Sequence, residues 1–229
     1  MNKKKTAAIL ITGALAISII GGTFAGFTAS DSVTNPFSTG ITDDSNNPNS
    51  GVKVQEEFKL EDAKTITPGT EINKDVQSKN TSSYDEFIRV DFKIVWKDAT
   101  GTEVTKVTVG GTEYTLDNKL VELKTKNIST DGTQGTWVLD STDDKYYYIG
   151  KVATGSYTNT LLDSVKLSPL AGNEYKNLKF DVVVTAEAIQ ASNGAYKDWA
   201  SDNIKIYLGA EEAKSTFAPT DVAEPNGSN

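Results

Sequence analysis

Apolar and polar residues alternate with a period of two along most of the chain beyond residue 51, a pattern typical of β-strands that bury one face. The clearest case is EFIRVDFKIVWKD at residues 86–98, where every second residue from Ile88 to Trp96 is apolar. In FDVVVTAEAIQ at residues 180–190 both faces are partly apolar, so this strand is expected to be central in its sheet. Two glycines, Gly110 and Gly111, separate alternating segments and predict a two-residue hairpin.

The other segments complete an all-β prediction. TWVLDSTDDKYYYIGKV at residues 136–152 predicts a second hairpin, and its three consecutive tyrosines must point to both faces of a sheet. Only GAYKDWASDN at residues 194–203 favours a short helix. About eight strands with turn signals between them, and at most one or two short helices, indicate an antiparallel two-sheet sandwich over residues 52–214. The composition of residues 215–229 predicts a disordered C-terminal tail.

The same period occurs in GFTASDSVTNPFSTGIT at residues 26–42, a candidate strand with no hairpin partner beside it. Its even positions carry only Thr, Ser, Pro and Gly. Pro36 belongs to this polar face and lacks an N–H, which predicts a bulge or a break in pairing. The opposite face carries the apolar residues Phe27, Ala29, Val33, Phe37 and Ile41, with Asp31 and Asn35 among them.

A polar segment, DDSNNPNSG at residues 43–51, follows this strand. Its Asp, Asn, Pro and Gly residues predict a flexible linker that would let residues 26–42 swing away from the rest of the chain. A calcium site is the alternative for its acidic and amide side chains, but the segment lacks the spacing and the closing bidentate Glu of a recognised calcium loop.

Residues 1–25 predict a secretory signal peptide. Three lysines at residues 3–5 precede an apolar run at residues 7–20, and a pair of glycines then leads to small residues. The run is shorter than the roughly 20 apolar residues of a membrane-spanning helix, and an uncleaved anchor is the alternative. The predicted cleavage site consists of Thr23, Ala25 and Gly26, although a cut after Ala29 also satisfies the small-residue rule.

The net charge and the absence of cysteine and histidine exclude several classes of function. Loss of residues 1–25 removes three lysines and no acid, which takes the net charge from −8 to about −11. Such a surface repels nucleic acid and anionic lipid, so we expect neither as a partner and no membrane contact after cleavage. The chain has no cysteine and no histidine, which excludes Ser-His, Cys-His and HExxH sites. We therefore expect no cofactor, no metal site and no enzymatic activity, with a two-carboxylate glycosidase as the enzyme class that composition leaves open.

Four stretches taken in order resemble one family. They are the leader ending GGTFA, the block ITPGTEINKDVQSKNTSSYDEFIRVDFKIVW, the block DDKYYYIGKVATGSYTNTLLDSVKL, and FDVVVTAEAIQAS. The chain resembles the TasA/camelysin family of secreted biofilm-matrix proteins, and is most similar to its clostridial BsaA-type members, whose leaders are removed by SipW-type signal peptidase. The linker at residues 43–51 departs from the family pattern, which leaves the register of strand insertion open.

The resemblance implies a jelly-roll sandwich with a detachable N-terminal strand, secreted to the extracellular matrix or cell surface. It implies a structural subunit that polymerises head to tail into pilus-like fibres, with residues 27–41 of one subunit inserted as a donor strand into the next. The expected partners are further copies of the chain, the signal peptidase during export, and other matrix components. Some members of the family are labelled metallopeptidases, and the missing histidine argues against extending that label to this chain.

Three alternatives stay open. Residues 26–42 would fold back as the first strand of their own domain if no exchange occurs. A monomeric secreted or cell-surface adhesin is the second function class. An amide cross-link between subunits is the third, since Asp31 or Asn35 would react with a lysine of the groove beside a buried Glu, against the simpler role of polar residues at its rim.

Overall fold

The computed structural model describes residues 28–34, 38–39, 51–58 and 66–221. Within these ranges the chain forms twelve strands, three short 3₁₀-helices and one α-helix, α1 (Asp202–Glu212). The strands are β1 (Thr28–Thr34), β2 (Ser38–Thr39), β3 (Val52–Phe58), β4 (Glu71–Asn80), β5 (Glu86–Lys97), β6 (Lys106–Val109), β7 (Thr112–Thr115), β8 (Val121–Thr125), β9 (Thr136–Asp140), β10 (Lys145–Ile149), β11 (Leu162–Leu167) and β12 (Lys179–Gln190).

Two larger sheets make up the body of the protein. The first has the order β1-β12-β5-β10-β9, with β2 also paired to β12, and the second has the order β3-β4-β11-β8. All ladders are antiparallel except those that β1 and β2 form with β12, which are parallel. The predicted all-β sandwich is confirmed. The jelly-roll connection stays a prediction.

The main core lies between the two sheets. Ile88, Val90 and Trp96 of β5 contribute the apolar face that the alternation predicted, and Val76 of β4 and Leu162 of β11 contribute from the opposite sheet. The two predicted hairpins are present. Gly110 and Gly111 connect β6 to β7 with positive φ angles of 59° and 85°, a conformation that glycine adopts without strain.

A second apolar cluster covers the outer face of the first sheet. It contains Phe87 and Tyr147 from the strands and Leu208 from α1. Tyr146 and Tyr148 belong instead to the core between the sheets, so the three tyrosines divide between the two faces as predicted. The sheet is therefore buried on both sides at Phe87 of β5 and Tyr147 of β10.

The helix extends further than the sequence predicted. Residues 195–198 form a 3₁₀-helix, and Ser201 then caps α1 by accepting a hydrogen bond from the N–H of Ile204. The buried residues of α1 are Ile204, Leu208 and Glu211. They are spaced by four and three positions, which is the spacing of residues on one face of an α-helix. The predicted helix at residues 194–203 ended before most of this spacing.

Part of the expected disordered tail packs against the sandwich. Phe217 donates its N–H to the carbonyl of Lys151, and its ring packs against Gly135. The side-chain oxygen of Asn159 accepts the N–H groups of Thr220 and Asp221 at 2.8 and 3.1 Å. Residues 215–221 thus form hydrogen bonds with the half-buried Lys151 and the buried Asn159, which the composition of the tail does not reveal.

Candidate functional site

The candidate site is the side of β12 that receives the N-terminal segment, named here the β12 edge. On its other side β12 pairs with β5 along its whole length, from Lys179 opposite Lys97 to Gln190 opposite Glu86. Along the β12 edge it pairs with β1 from Lys179 to Thr185 and with β2 at Ala188 and Ile189. Because β1 begins the described chain and β12 is the last strand, β1 can leave without breaking any other ladder of the first sheet.

The core face of β12 changes in size along the strand. Phe180, Val182 and Val184 are buried at its start, and Ala186 and Ala188 are buried towards its end. This face remains in the core whichever strand occupies the β12 edge, since β5 holds β12 in place. The apolar face is therefore preformed, and an incoming strand has to match it.

The register places the odd-numbered positions of β1 beside this face. Ala29 lies beside Phe180, Asp31 beside Val182 and Val33 beside Val184. In a parallel ladder, neighbouring residues on adjacent strands belong to the same face of the sheet. The face that the alternation assigned to Ala29 and Val33 is thus the one that β12 continues.

The register shifts between β1 and β2. Thr34 lies beside Thr185, but Ser38 lies beside Ala188, so residues 35–37 contain one residue more than the facing stretch of β12. Pro36, where a bulge or a break in pairing is predicted, lies between the two paired segments and outside the described residues. Beyond it the even-numbered Ser38 takes a core-face position, so the odd-numbered face predicted over residues 27–41 does not continue through β2. A one-residue insertion exchanges the two faces of a strand.

The structure describes only some of the predicted site residues. It places Ala29, Asp31 and Val33 on β1. The other predicted positions lie outside the described residues, namely Phe27, Phe37 and Ile41 of the apolar face, Asn35, and the cleavage residues Thr23, Ala25 and Gly26. The linker at residues 43–50 also lies outside them.

Charged side chains fix β12 from its outer face. Arg89 of β5 donates to Glu187 at 2.6 Å, and Lys145 of β10 donates to the same carboxylate at 2.7 Å. Burial acts to raise the pKa of Glu187, but these two hydrogen bonds hold it below its ordinary value. Arg89 also donates to the Trp199 carbonyl at 2.7 Å and lies 4.6 Å from that indole ring. Lys97 and Asp181 form a further ion pair between β5 and β12.

A buried carboxyl group lies on β5, beside the C-terminal end of β12 and on the side of β12 away from the β12 edge. Glu86 is 0% exposed, and among the described residues no group lies in hydrogen-bond geometry to either carboxyl oxygen, although the nearby Ser82 side chain acts to lower its pKa. It lies opposite Gln190, one position beyond the pairing of Ile189 with Thr39. Burial raises the pKa of Glu86 to about 7. Sequence reasoning missed this residue, although Glu86 precedes Ile88 by two positions and so shares its core face.

Groups suited to metals or membranes are absent from the described ranges. These residues contain no group of three or more His, Cys, Asp or Glu side chains that could hold a metal ion. The same part of the chain has no helix with the length and apolar character needed to cross a membrane.

Comparisons with known proteins place the chain in one family. No curated protein matches it. Among solved structures, the ASH/PapD-like domain of human CEP192 (PapD-like domain 7) is similar over 68% of this chain and 92% of that one, at 9% identity and a TM-score of 0.30. A TM-score this low does not establish that the two proteins share a fold. The sequence profile of the family described as camelysin metallo-endopeptidase matches residues 1–145. Since this match spans more than half of the chain, the protein belongs to the TasA/camelysin family, as the resemblance implied.

Proposed function

We propose that the protein is a secreted structural subunit that assembles head to tail into extracellular fibres, each subunit placing its N-terminal strand on the β12 edge of the next. One observation carries this proposal: among the described residues, the first strand pairs with the last at the edge of a sheet, and no hairpin links the two. A strand held in this way can be replaced by the same strand of a neighbour. Family membership supports an extracellular structural role.

The exchanged strand would make the same ladder that β1 makes in its own chain. An unpaired sheet edge is costly, so the β12 edge is always better occupied than empty. Burial of each large apolar side chain contributes about 1.5 to 3 kcal/mol, whether the strand comes from the same chain or from a neighbour. The balance between monomer and fibre therefore depends on protein concentration and on how the linker restrains the strand.

The geometry of the exchange does not close on itself. The strand of one subunit contacts a different surface, the β12 edge, on the next, which is a heterologous contact. Repetition of a heterologous contact gives an open filament unless the rotation between subunits forms a ring. A fibre is the expected product.

Export would control when assembly begins. While residues 1–25 are attached, the strand that follows them is held at the membrane. Cleavage beside Gly26 releases its end, and a SipW-type peptidase is our candidate enzyme, as in BsaA-type members. Other matrix components are candidate partners of the finished fibre.

The family is described as a metallo-endopeptidase, an activity that needs a metal which the residues of this chain do not fit. A zinc peptidase of the HExxH type needs histidine ligands, and the chain has none. The described ranges also contain no group of three or more acidic side chains that could hold a metal ion. We therefore propose a structural role and derive no catalytic step.

Electron microscopy of the mature chain, starting at Gly26, tests this proposal. We expect fibres from this protein and none from a chain lacking residues 26–42. A matched pair of point variants separates strand contacts from general effects: Val33→Asp, beside the buried Val184, should abolish fibres, whereas Ser32→Asp, beside the half-buried Val183, should not. Fibres of normal length from the truncated chain contradict strand exchange. A mature chain that stays monomeric supports the self-paired adhesin instead.

A further inference from the structure

An open cleft lies where β3 begins and β4 ends, and it is named here the lysine cleft after Lys53 and Lys79, which line it. Its volume is about 480 Å³, which is in the range of small-ligand sites. The other described residues that line it are four serines or threonines, Asn80 and Gly155. Most ligand pockets are largely apolar, so a lining of this kind favours a polar ligand rich in hydroxyl groups.

The two lysines of the cleft are direct neighbours across the β3–β4 ladder, with Lys53 opposite Lys79. Like charges in directly opposed positions of an antiparallel pair repel each other and destabilise the sheet. Within the described residues neither ammonium group forms an ion pair with a carboxylate, whereas Lys97 and Lys126 elsewhere in the protein do. An anion in the cleft would form charge-assisted hydrogen bonds with both ammonium groups and offset their repulsion.

An aromatic ring orients one of these ammonium groups. The Nζ of Lys79 lies 5.0 Å from the centroid of the Tyr157 ring, which is within the range of a cation–π contact. The same two residues also pair through their backbones. A cation–π contact acts on the charge, and the N–H donors that point away from the ring stay available to an anion.

Buried side chains fix one wall of the cleft. Asn80 and Ser82 both line it and are 0% and 2% exposed. The Asn80 side chain donates to the carbonyls of Tyr84 and Val152 at 2.7 and 2.8 Å, and its oxygen accepts from the Ser82 hydroxyl at 2.7 Å. The N–H of Gly155 donates to the Asn80 carbonyl at 2.9 Å, which joins a second lining segment to β4. This wall is formed before a ligand arrives, which lowers the cost of binding.

Hydroxyl groups of the cleft are open to solvent. Ser83 and Thr154 line the cleft and are both exposed. Each of these hydroxyls can donate one hydrogen bond and accept two. They therefore complement the hydroxyls of a sugar ring, which act as donors and acceptors in the same way.

We propose that the lysine cleft binds an anionic sugar, whose carboxylate or phosphate group lies between Lys53 and Lys79 and whose hydroxyls bond to Ser83 and Thr154. The chain carries a net charge of −8, so the surface outside the cleft repels a long polyanion. The volume of the cleft holds roughly one or two sugar rings. The recognised unit is therefore a single acidic sugar.

The sugar site is separate from the β12 edge. None of the described residues that line the lysine cleft belongs to β1 or to β12. Binding therefore does not depend on which strand occupies the β12 edge. Failure of the sugar site would leave the proposed fibre assembly untouched, and the reverse also holds.

Saturation-transfer difference NMR of the mature protein tests the proposal, since it detects ligand protons in contact with monomers and fibres alike. The ligands are glucuronate, glucose 1-phosphate and glucose, which share a sugar ring and differ in charge. We expect at least one of the two anionic sugars to bind about tenfold or more tighter than glucose. The one that does so identifies carboxylate or phosphate as the preferred group. A smaller difference from glucose, or no binding of either anionic sugar, overturns the proposal.

Competition with bare anions separates the sugar from its charge. Acetate should displace glucuronate, and inorganic phosphate should displace glucose 1-phosphate, only at concentrations well above the Kd of the sugar. The reason is that these anions lack the ring hydroxyls that Ser83 and Thr154 would bind. A bare anion that binds as tightly as its sugar overturns the assignment to a sugar.

Charge-removing variants locate the binding. Lys53→Gln and Lys79→Gln should each weaken it roughly fivefold, and the double variant should bind no anionic sugar. Lys106→Gln is the matched control, because Lys106 is an exposed lysine of β6, and binding should be unchanged. Thermal unfolding checks the fold: Lys53→Gln should be at least as stable as the wild type, because it removes one of two opposed like charges. Binding that survives the double variant overturns the proposal.

Discussion

Glu86→Gln is expected to raise the free energy of unfolding by about 3 kcal/mol at pH 8 and to leave it nearly unchanged at pH 4. The buried Glu86 carboxyl has a pKa of about 7 in the folded protein, against an ordinary value of 4.5. Between these values the folded state keeps a proton that the unfolded state releases. The stability of the wild type is therefore greatest below pH 4.5 with respect to this group and falls as pH rises through 7. Glutamine has nearly the same shape and cannot ionise, so it removes the penalty.

Urea denaturation of dilute, monomeric mature protein at several pH values measures this effect. Because the chain has no histidine, few other side chains change charge between pH 5 and 8. Glu103→Gln is the matched control, since Glu103 is exposed and its replacement should leave the pH profile unchanged. An equal change of stability at pH 4 and pH 8 in Glu86→Gln would show that ionisation is not the cause.

Alternation predicted the faces of the long strands well. The predicted core face of β5, from Ile88 to Trp96, and that of β12, from Phe180 to Ala188, both lie between the sheets. Each is a run of more than eight residues in which a change of register would expose every apolar side chain. For such strands the local pattern alone decides which face is buried.

The same alternation also placed two charged residues at core-face positions, which the overall composition does not reveal. Lys74 lies between Ile72 and Val76 on one face of a strand, and Glu86 precedes Ile88 in the same way. A charged residue at a core position indicates either a partner across the sandwich or a shifted pKa. The sequence alone does not distinguish a charge partner from a shifted pKa, because any partner would come from a strand that is distant in the chain.

Strand order was the part of the fold that sequence could not supply. The pairing of β1 with β12 joins two strands that are distant in the chain, and the two strands run parallel. Pairings between distant segments depend on packing across the whole sandwich, and a two-residue period carries no information about them. A local effect is different: a bulge or break is predicted at Pro36 from its missing N–H alone, and the register of β12 pairing differs between Thr34 and Ser38 on either side of it.

A chain lacking residues 26–42 is expected to stop fibre growth when it is mixed with the complete mature protein. This truncated chain keeps the β12 edge and can accept a strand, but it has no strand to donate. Each truncated subunit would end the fibre that it joins, since a head-to-tail contact needs both elements in every subunit. One truncated chain for every ten complete ones should limit fibres to about ten subunits on average.

Length distributions from electron microscopy measure this effect, after circular dichroism has shown that the truncated chain is folded. A chain lacking residues 222–229 is the control, because it keeps both β1 and the β12 edge, and it should join fibres without shortening them. Fibres of unchanged length that exclude the truncated chain would mean that the contact between subunits lies elsewhere. Shortening in proportion to the truncated fraction identifies the β12 edge as the acceptor, because that edge is the surface which the truncation leaves unoccupied.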